Sequence, residues 1–226
     1  MTGPISSYIV TDEDEEVYFL SRILITNPYY LLEGGKDLVE AMESFELLTR
    51  LSSMNVSSIY HVKLTQQEES LILDILEEYD VESAKMSFLN KHFATRSTLQ
   101  LKAIFTSAID GLSALHARGL FHGGLSLDVI SMSIDGTFRL LHPYIAILRR
   151  LELKHPLIPN QPIHQDSSVP SSWLDSSYGP ETDVFDLARC LLIALYGASI
   201  IFEYASLEEM EPDISIGLPS CRLIFF

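Results

Sequence analysis

Residues 114–146 read ALHARGLFHGGLSLDVISMSIDGTFRLLHPYIA, and the fold is decided there. The first of them finish a helix whose apolar face runs through Leu101, Ile104, Phe105, Ala108, Ile109, Leu112 and Leu115, opened by Ser97 and Gln100 as a capping box. Gly119 predicts its end, because glycine accepts the left-handed backbone that closes a helix. Beyond a loop around His122, residues 129–134 and 137–141 read as short strands joined at Asp135-Gly136, a strong hairpin signal.

Upstream, residues 7–10 and 17–25 are strand-like, and the acidic run Asp12 to Glu16 between them reads as a solvated turn. Asn27-Pro28 and Gly34-Gly35 mark further turns. Asp37 and Glu40 form a capping box for a helix with the stripe Leu38, Met42, Phe45 and Leu48, widened by Leu47 and Leu51. In residues 56–64, Tyr60, Val62 and Leu64 alternate with Ile59, His61 and Lys63. Residues 70–76 are almost continuously apolar, as in a strand covered on both faces, and the polar residues between the two runs predict an antiparallel hairpin.

Downstream, residues 154–178 are rich in Pro, Ser and Gln and read as a long loop. Pro180 then opens a last helix over residues 181–196, apolar almost all round and therefore expected to be buried. The order of elements predicts two lobes with a boundary at residues 77–80.

Composition limits the function classes. The 226 residues are 47% apolar, ample for a packed core, and the 31 acidic against 15 basic side chains leave a net charge of -16. Nucleic acids and anionic membranes both need clustered positive charge, so neither is an expected partner. Cys190 and Cys221 make no disulfide framework, read as apolar fillers and fit a reducing compartment, so the expected location is cytoplasmic. The N-terminus has no signal-peptide pattern, and the apolar run at residues 184–196 is too short to span a bilayer.

The quoted stretch resembles protein kinases: a helix ending in Leu-His, an Arg-Gly pair, the catalytic loop, a hairpin and the metal-binding segment, in that order. ESFELLTRLSSMN from Glu43 resembles the end of the small-lobe helix, ESLILDILEEY from Glu69 the strand entering the hinge, and TDVFDLARCLLIALYG from Thr182 the buried large-lobe helix. The resemblance covers residues 3–200. It implies an α+β, protein-kinase-like bilobal fold: a small, mainly β N-lobe with one helix over residues 1–79, and a mainly helical C-lobe over residues 80–226. Only residues 197–226 follow the last helix, so the C-lobe is expected to be truncated at its C-terminal end.

The residues that do kinase chemistry are missing from the pattern. Catalysis needs an Asp as base, an Asn and an Asp on magnesium and a Lys on the phosphates. Here Gly124 stands at the catalytic Asp, Ser126 at the loop Lys, Val129 at the metal-binding Asn and His142, in His142-Pro143-Tyr144, at the metal-binding Asp. In GPISSYIVTDEDEEVYFLSRI, Gly3 alone remains of the glycines and Ser21 takes the place of the phosphate-binding Lys. Arg22 follows it but belongs to the opposite strand face. The helix Glu that pairs with that Lys maps to Ser44, beside Glu43. Neither Val129 nor neutral His142 suits magnesium, a hard ion that prefers oxygen donors. The resemblance therefore implies no catalytic residue, no cofactor and no metal.

What it retains is structural. His122 reads as a buried buttress, Asp183 as the acid that bonds the catalytic-loop backbone, and Leu125 and Ile130 as loop packing. Within the kinases, QQEESLILDILEEY, HGGLS and DGTFRLLHPYIA resemble the degenerate kinase domain of the amino-acid-starvation (general-control) kinases of translation initiation factor two. This implies a regulatory protein-interaction module whose partner is an adjacent active kinase domain in the same polypeptide. The alternative is a residual or unconventional ATP-dependent serine/threonine kinase that uses ligands such as Asp128 and Glu43. His116, His122, His142, His155 and His164 lack the compact spacing of a zinc motif. Ser126 near His122 and Asp128 is no nucleophile elbow, and Trp173 matches no cofactor box.

Overall fold

A computed structural model describes residues 5–26, 36–67, 70–79, 84–85, 98–133, 136–151 and 179–196. Two strands begin it, β1 (Ile5–Thr11) and β2 (Val17–Ile25), paired antiparallel from Ile5↔Ile23 to Thr11↔Val17 without a break. The acidic run turns between them as expected: Asp12 Oδ1 accepts the amides of Asp14 (3.0 Å) and Glu16 (2.9 Å), and Oδ2 accepts the Tyr18 hydroxyl (3.0 Å).

Helix α1 (Lys36–Thr49) starts one residue before Asp37, which therefore lies inside the first turn rather than capping it. Leu38, Phe45, Leu48 and Leu51 are buried, whereas Leu47 faces solvent. Strands β3 (Ile59–Gln67) and β4 (Ser70–Glu78) form the expected hairpin, and the sheet order is β1-β2-β4-β3. A register irregularity between Ile59 and His61 breaks the expected alternation, so Ile59 turns inward and Tyr60 outward. β4 alternates too: Leu71, Leu73, Ile75 and Glu77 are buried and their neighbours half-buried, so only one face of the strand is sealed.

A two-residue strand β5 (Ala84–Lys85) pairs with β6 (Ile130–Met132), which pairs with β7 (Phe138–Leu140) in a second antiparallel sheet. Between them runs α2 (Thr98–His116), which buries the expected face except Ile109, and Gly119 follows with φ +69°. Gly136 has φ +84° in the hairpin turn. Helix α3 (Ile145–Arg150), absent from the sequence expectations, follows β7 and buries Ile145 to Leu148. The last helix, α4 (Pro180–Tyr196), buries Asp183, Asp186, Leu187, Cys190 and Ala194 but exposes Val184 and Leu195, so it is one-sided rather than buried all round.

The α1–β3 connection ties the two halves together. Leu140 donates its amide to Asn55 O (2.9 Å), and Ser57 donates to Leu140 O (2.8 Å). Gly111 of α2 lets that connection approach, since a Cβ there would stand 2.7 Å from Asn55 O. One continuous apolar cluster runs from Ile23, Phe45 and Leu73 under the sheet to Leu115, Leu125 and Leu187 among the helices. The expected turns at Asn27-Pro28 and Gly34-Gly35, the capping residue Ser97, the loop 154–178 and everything after Tyr196 lie outside the described residues, as do Gly3, Asp80, Cys221, Trp173, His155 and His164.

Candidate functional site

The cleft between sheet and helices is lined where β2, β4 and the segment after β7 meet. Glu77 continues the inward-facing series of β4, which leaves a carboxylate in the core that needs partners. His142 supplies them. Its backbone is left-handed, φ +54°, and this turns both its amide and its ring toward Glu77. The amide donates to Oε1 at 2.7 Å, and Nδ1 lies 2.7 Å from Oε2. A carboxylate only accepts, so Nδ1 carries the proton. Burial opposes ionisation of Glu77, but the charge and hydrogen bonds of His142 outweigh it and hold the carboxyl below its ordinary value.

Tyr144 closes the cluster. Its hydroxyl lies 3.2 Å from His142 Nδ1 and 3.1 Å from Ser21 Oγ, and both Ser21 and Tyr144 are fully buried. Burial, with Glu77 close by, pushes the phenol well above its usual value, so it stays protonated. Around the group pack Phe19, whose ring centroid is 5.4 Å from that of His142, and Phe45, 6.4 Å from Tyr144. Two positions that the kinase pattern reserves for a phosphate-binding Lys and a metal-binding Asp, Ser21 and His142, are thus both bonded to the Tyr144 hydroxyl.

The other predicted positions are equally placed for packing. Val129 is buried, and its backbone oxygen accepts from Leu141 (2.7 Å). Gly124 lies against α3: a Cβ there would come within 2.6 Å of Ile145 Cγ2, and one on Gly123, φ +70°, within 2.7 Å of Ala146 Cβ. The Ser126 hydroxyl accepts the Asp128 amide at 3.3 Å. Ser44 donates back to Glu40 O (2.9 Å) within α1. Arg22 does face away from Ser21, in a two-pronged pair with Asp74 (2.7 and 2.8 Å). Asp128 and Glu43 both face solvent, and among the described residues no group of three His, Cys, Asp or Glu could hold a metal ion.

The loop's scaffold is intact. Asp183 Oδ2 accepts the His122 amide (2.8 Å) and Oδ1 the Gly123 amide (2.8 Å), and His116 Nε2 adds a contact to Oδ2 at 2.9 Å. His122 is buried with Nε2 2.8 Å from Leu141 O, and burial pushes its imidazole down, toward the neutral form. Sequence reasoning missed Glu77 and α3. An acid in phase with Leu71, Leu73 and Ile75 was the signal for the first, and the apolar run Ile145 to Leu148 for the second. As a site, the cleft offers phosphate a buried carboxylate and a neutral serine. Arg22 and Arg139 are committed elsewhere, to Asp74 and Glu78.

The fold is that of the protein kinases. The PAN3 pseudokinase of Drosophila melanogaster superposes with a TM-score of 0.61 at 18% identity, over 94% of this chain and 50% of that one. In sequence, the chain is similar to the eIF-2-alpha kinase GCN2 of Schizosaccharomyces pombe, 26% identical over 217 residues, which is 90% of this chain and 14% of that protein. It is also similar to the serine/threonine-protein kinase STE20 of Saccharomyces cerevisiae, 23% identical over 124 residues, covering 54% of this chain and 13% of STE20. The chain thus spans a small fraction of the kinases it matches. No protein-family model matches it.

Proposed function

We propose that this chain is a catalytically inactive kinase-like module, with residues 1–79 as small lobe and 80–226 as large lobe. It regulates by protein contact in the cytoplasm, with no cofactor or metal, and its partner is an active kinase domain of the kind that phosphorylates eIF-2-alpha. The observation that carries the reading is the Glu77–His142–Tyr144–Ser21 cluster, which joins the cleft by direct bonds where a kinase interposes phosphate and metal. Phosphoryl transfer depends on positioned charge, and Gly124, Ser126, Val129 and His142 supply neither base nor hard ligand. Support for the regulatory partner comes from the similarity to GCN2 along 90% of the chain.

Thermal-shift titration with ATP, with and without magnesium, tests the first half: the melting temperature stays flat, and metal-dependent stabilisation would overturn the reading. For the second half, adding the chain to an active eIF-2-alpha kinase domain changes that domain's rate. An unchanged rate at saturating chain would discard the regulatory role.

A further inference from the structure

The segment that follows β7 reaches both halves of the molecule at once. On the sheet side, His142 donates its amide to one Glu77 oxygen and Nδ1–H to the other (2.7 Å each), and the Tyr144 hydroxyl bonds Ser21 Oγ. Tyr144 also packs on Phe45 of α1, and Ser44 of α1 shares a small crevice with Ile147 and Phe121. On the helical side, Ala146 donates its amide to His122 O (2.9 Å), and Ile145 fills the space beside Gly124. The Arg150 guanidinium lies 4.8 Å over the Phe121 ring.

Helix α3 depends on both sides. Six residues are too few for a helix to persist alone in water, and Tyr144 at its start provides no side-chain cap. Ile145, Ala146, Ile147 and Leu148 are buried in succession, which a helix achieves only when neighbours cover it all round. The turn into it is equally dependent. His142 holds φ +54°, a left-handed backbone that is costly for a residue with a Cβ, and its two bonds to Glu77 offset that cost. Without Glu77 the turn loses what holds it; without glycine at 123 and 124, α3 loses the room it packs into.

We propose that residues 142–150 are a keystone, a conformational lock through which α1, the sheet and the loop around His122 open only together. The two halves then keep one relative arrangement, with no populated open cleft for a ligand to select. A partner meets a fixed surface instead of switching one. The lock follows from packing alone, whichever partner the chain binds.

Native-state hydrogen exchange of the full chain in low urea tests it. The reporting amides are Ile75 in β4, Phe45 in α1, Ile104 in α2, and His142 and Ala146 in the keystone. Their protection factors should agree within about threefold and share one urea slope. Gly124→Ala would place a Cβ 2.6 Å from Ile145 Cγ2, and it should speed exchange at all of these amides by one common factor, about fivefold or more. Should that variant not fold, Tyr144→Phe, which removes the bond to Ser21, carries the same expectation. Faster exchange at Phe45, His142 or Ala146 than at Ile75 and Ile104, with a shallower urea slope, would overturn the proposal, because α1 or α3 would then open alone. Acceleration confined to His142 and Ala146 in the variant would overturn it as well.

Discussion

The Tyr144 hydroxyl and the Ser21 hydroxyl oxygen lie 3.1 Å apart in a fully buried setting, although 123 residues separate them in the chain. One belongs to the central part of β2 and the other to the segment after β7. Their bond therefore joins the sheet directly to the helical half.

A double-mutant cycle measures that bond. Tyr144→Phe and Ser21→Ala are each expected to cost about 1–2 kcal/mol, since each leaves a buried polar partner short of a hydrogen bond. The double variant should recover about 1 kcal/mol of their sum. Urea unfolding of the four proteins reads it, and strict additivity would mean the bond contributes nothing.

Restoring the missing residues should not restore a kinase. Gly124→Asp forces a side chain into the space of Ile145 and is expected to destabilise by about 1–3 kcal/mol. Adding Ser21→Lys, Val129→Asn and His142→Asp breaks the Glu77 cluster as well. A phosphoryl-transfer assay alongside a thermal melt checks this, and appreciable turnover would contradict it.

Two buried carboxylates give opposite pH signatures. Glu77 is held below its ordinary value of 4.5, so its contribution is present above that pH and is lost as pH falls through the folded value. Glu77→Gln should lose stability at neutral pH, by about 3 kcal/mol for a broken buried pair, with the loss shrinking in acid. Asp186 is pushed up from 3.8 to about 7, chiefly by burial. Between those values the folded protein holds a proton that the unfolded chain has released, so stability falls as pH rises across that window. Asp186→Asn should flatten the decline, a difference on the order of a few kcal/mol between the acidic and alkaline ends. Urea midpoints at several pH values separate the two.

Asp183→Asn strips the carboxylate that takes the amides of His122 and Gly123 and the ring of His116. An expected loss of about 2–4 kcal/mol should be accompanied by faster hydrogen exchange at those two amides. Unchanged exchange there would show that the loop is held by packing alone.

Much of this molecule was written in local pattern. The strand at residues 17–25, the helix that runs through Leu101 to Leu115, Gly119 and the Gly136 turn all sit where local residue preferences and turn chemistry put them, since these depend on neighbours a few residues away. Residue type also set the expectation that Val129 and His142 offer no hard oxygen ligand, and that Asp183 bonds the loop backbone, where it accepts the amides of His122 and Gly123. Periodicity failed where packing decided otherwise: Ile109 and Leu47 continue apolar stripes yet face solvent, and beside the irregularity at Ile59/His61, Ile59 turns inward and Tyr60 outward, while Val62 and Leu64 keep the expected face.

Which side chains meet between the sheet and the helices was decided only in three dimensions. Glu77 meets His142 across 65 residues, Ser21 meets Tyr144 across 123, and Ile145 packs on Gly124 because a short helix follows the hairpin. A sequence names the groups that must be satisfied once buried. Which partner satisfies each depends on how strands and helices converge, and no spacing along the chain carries that information.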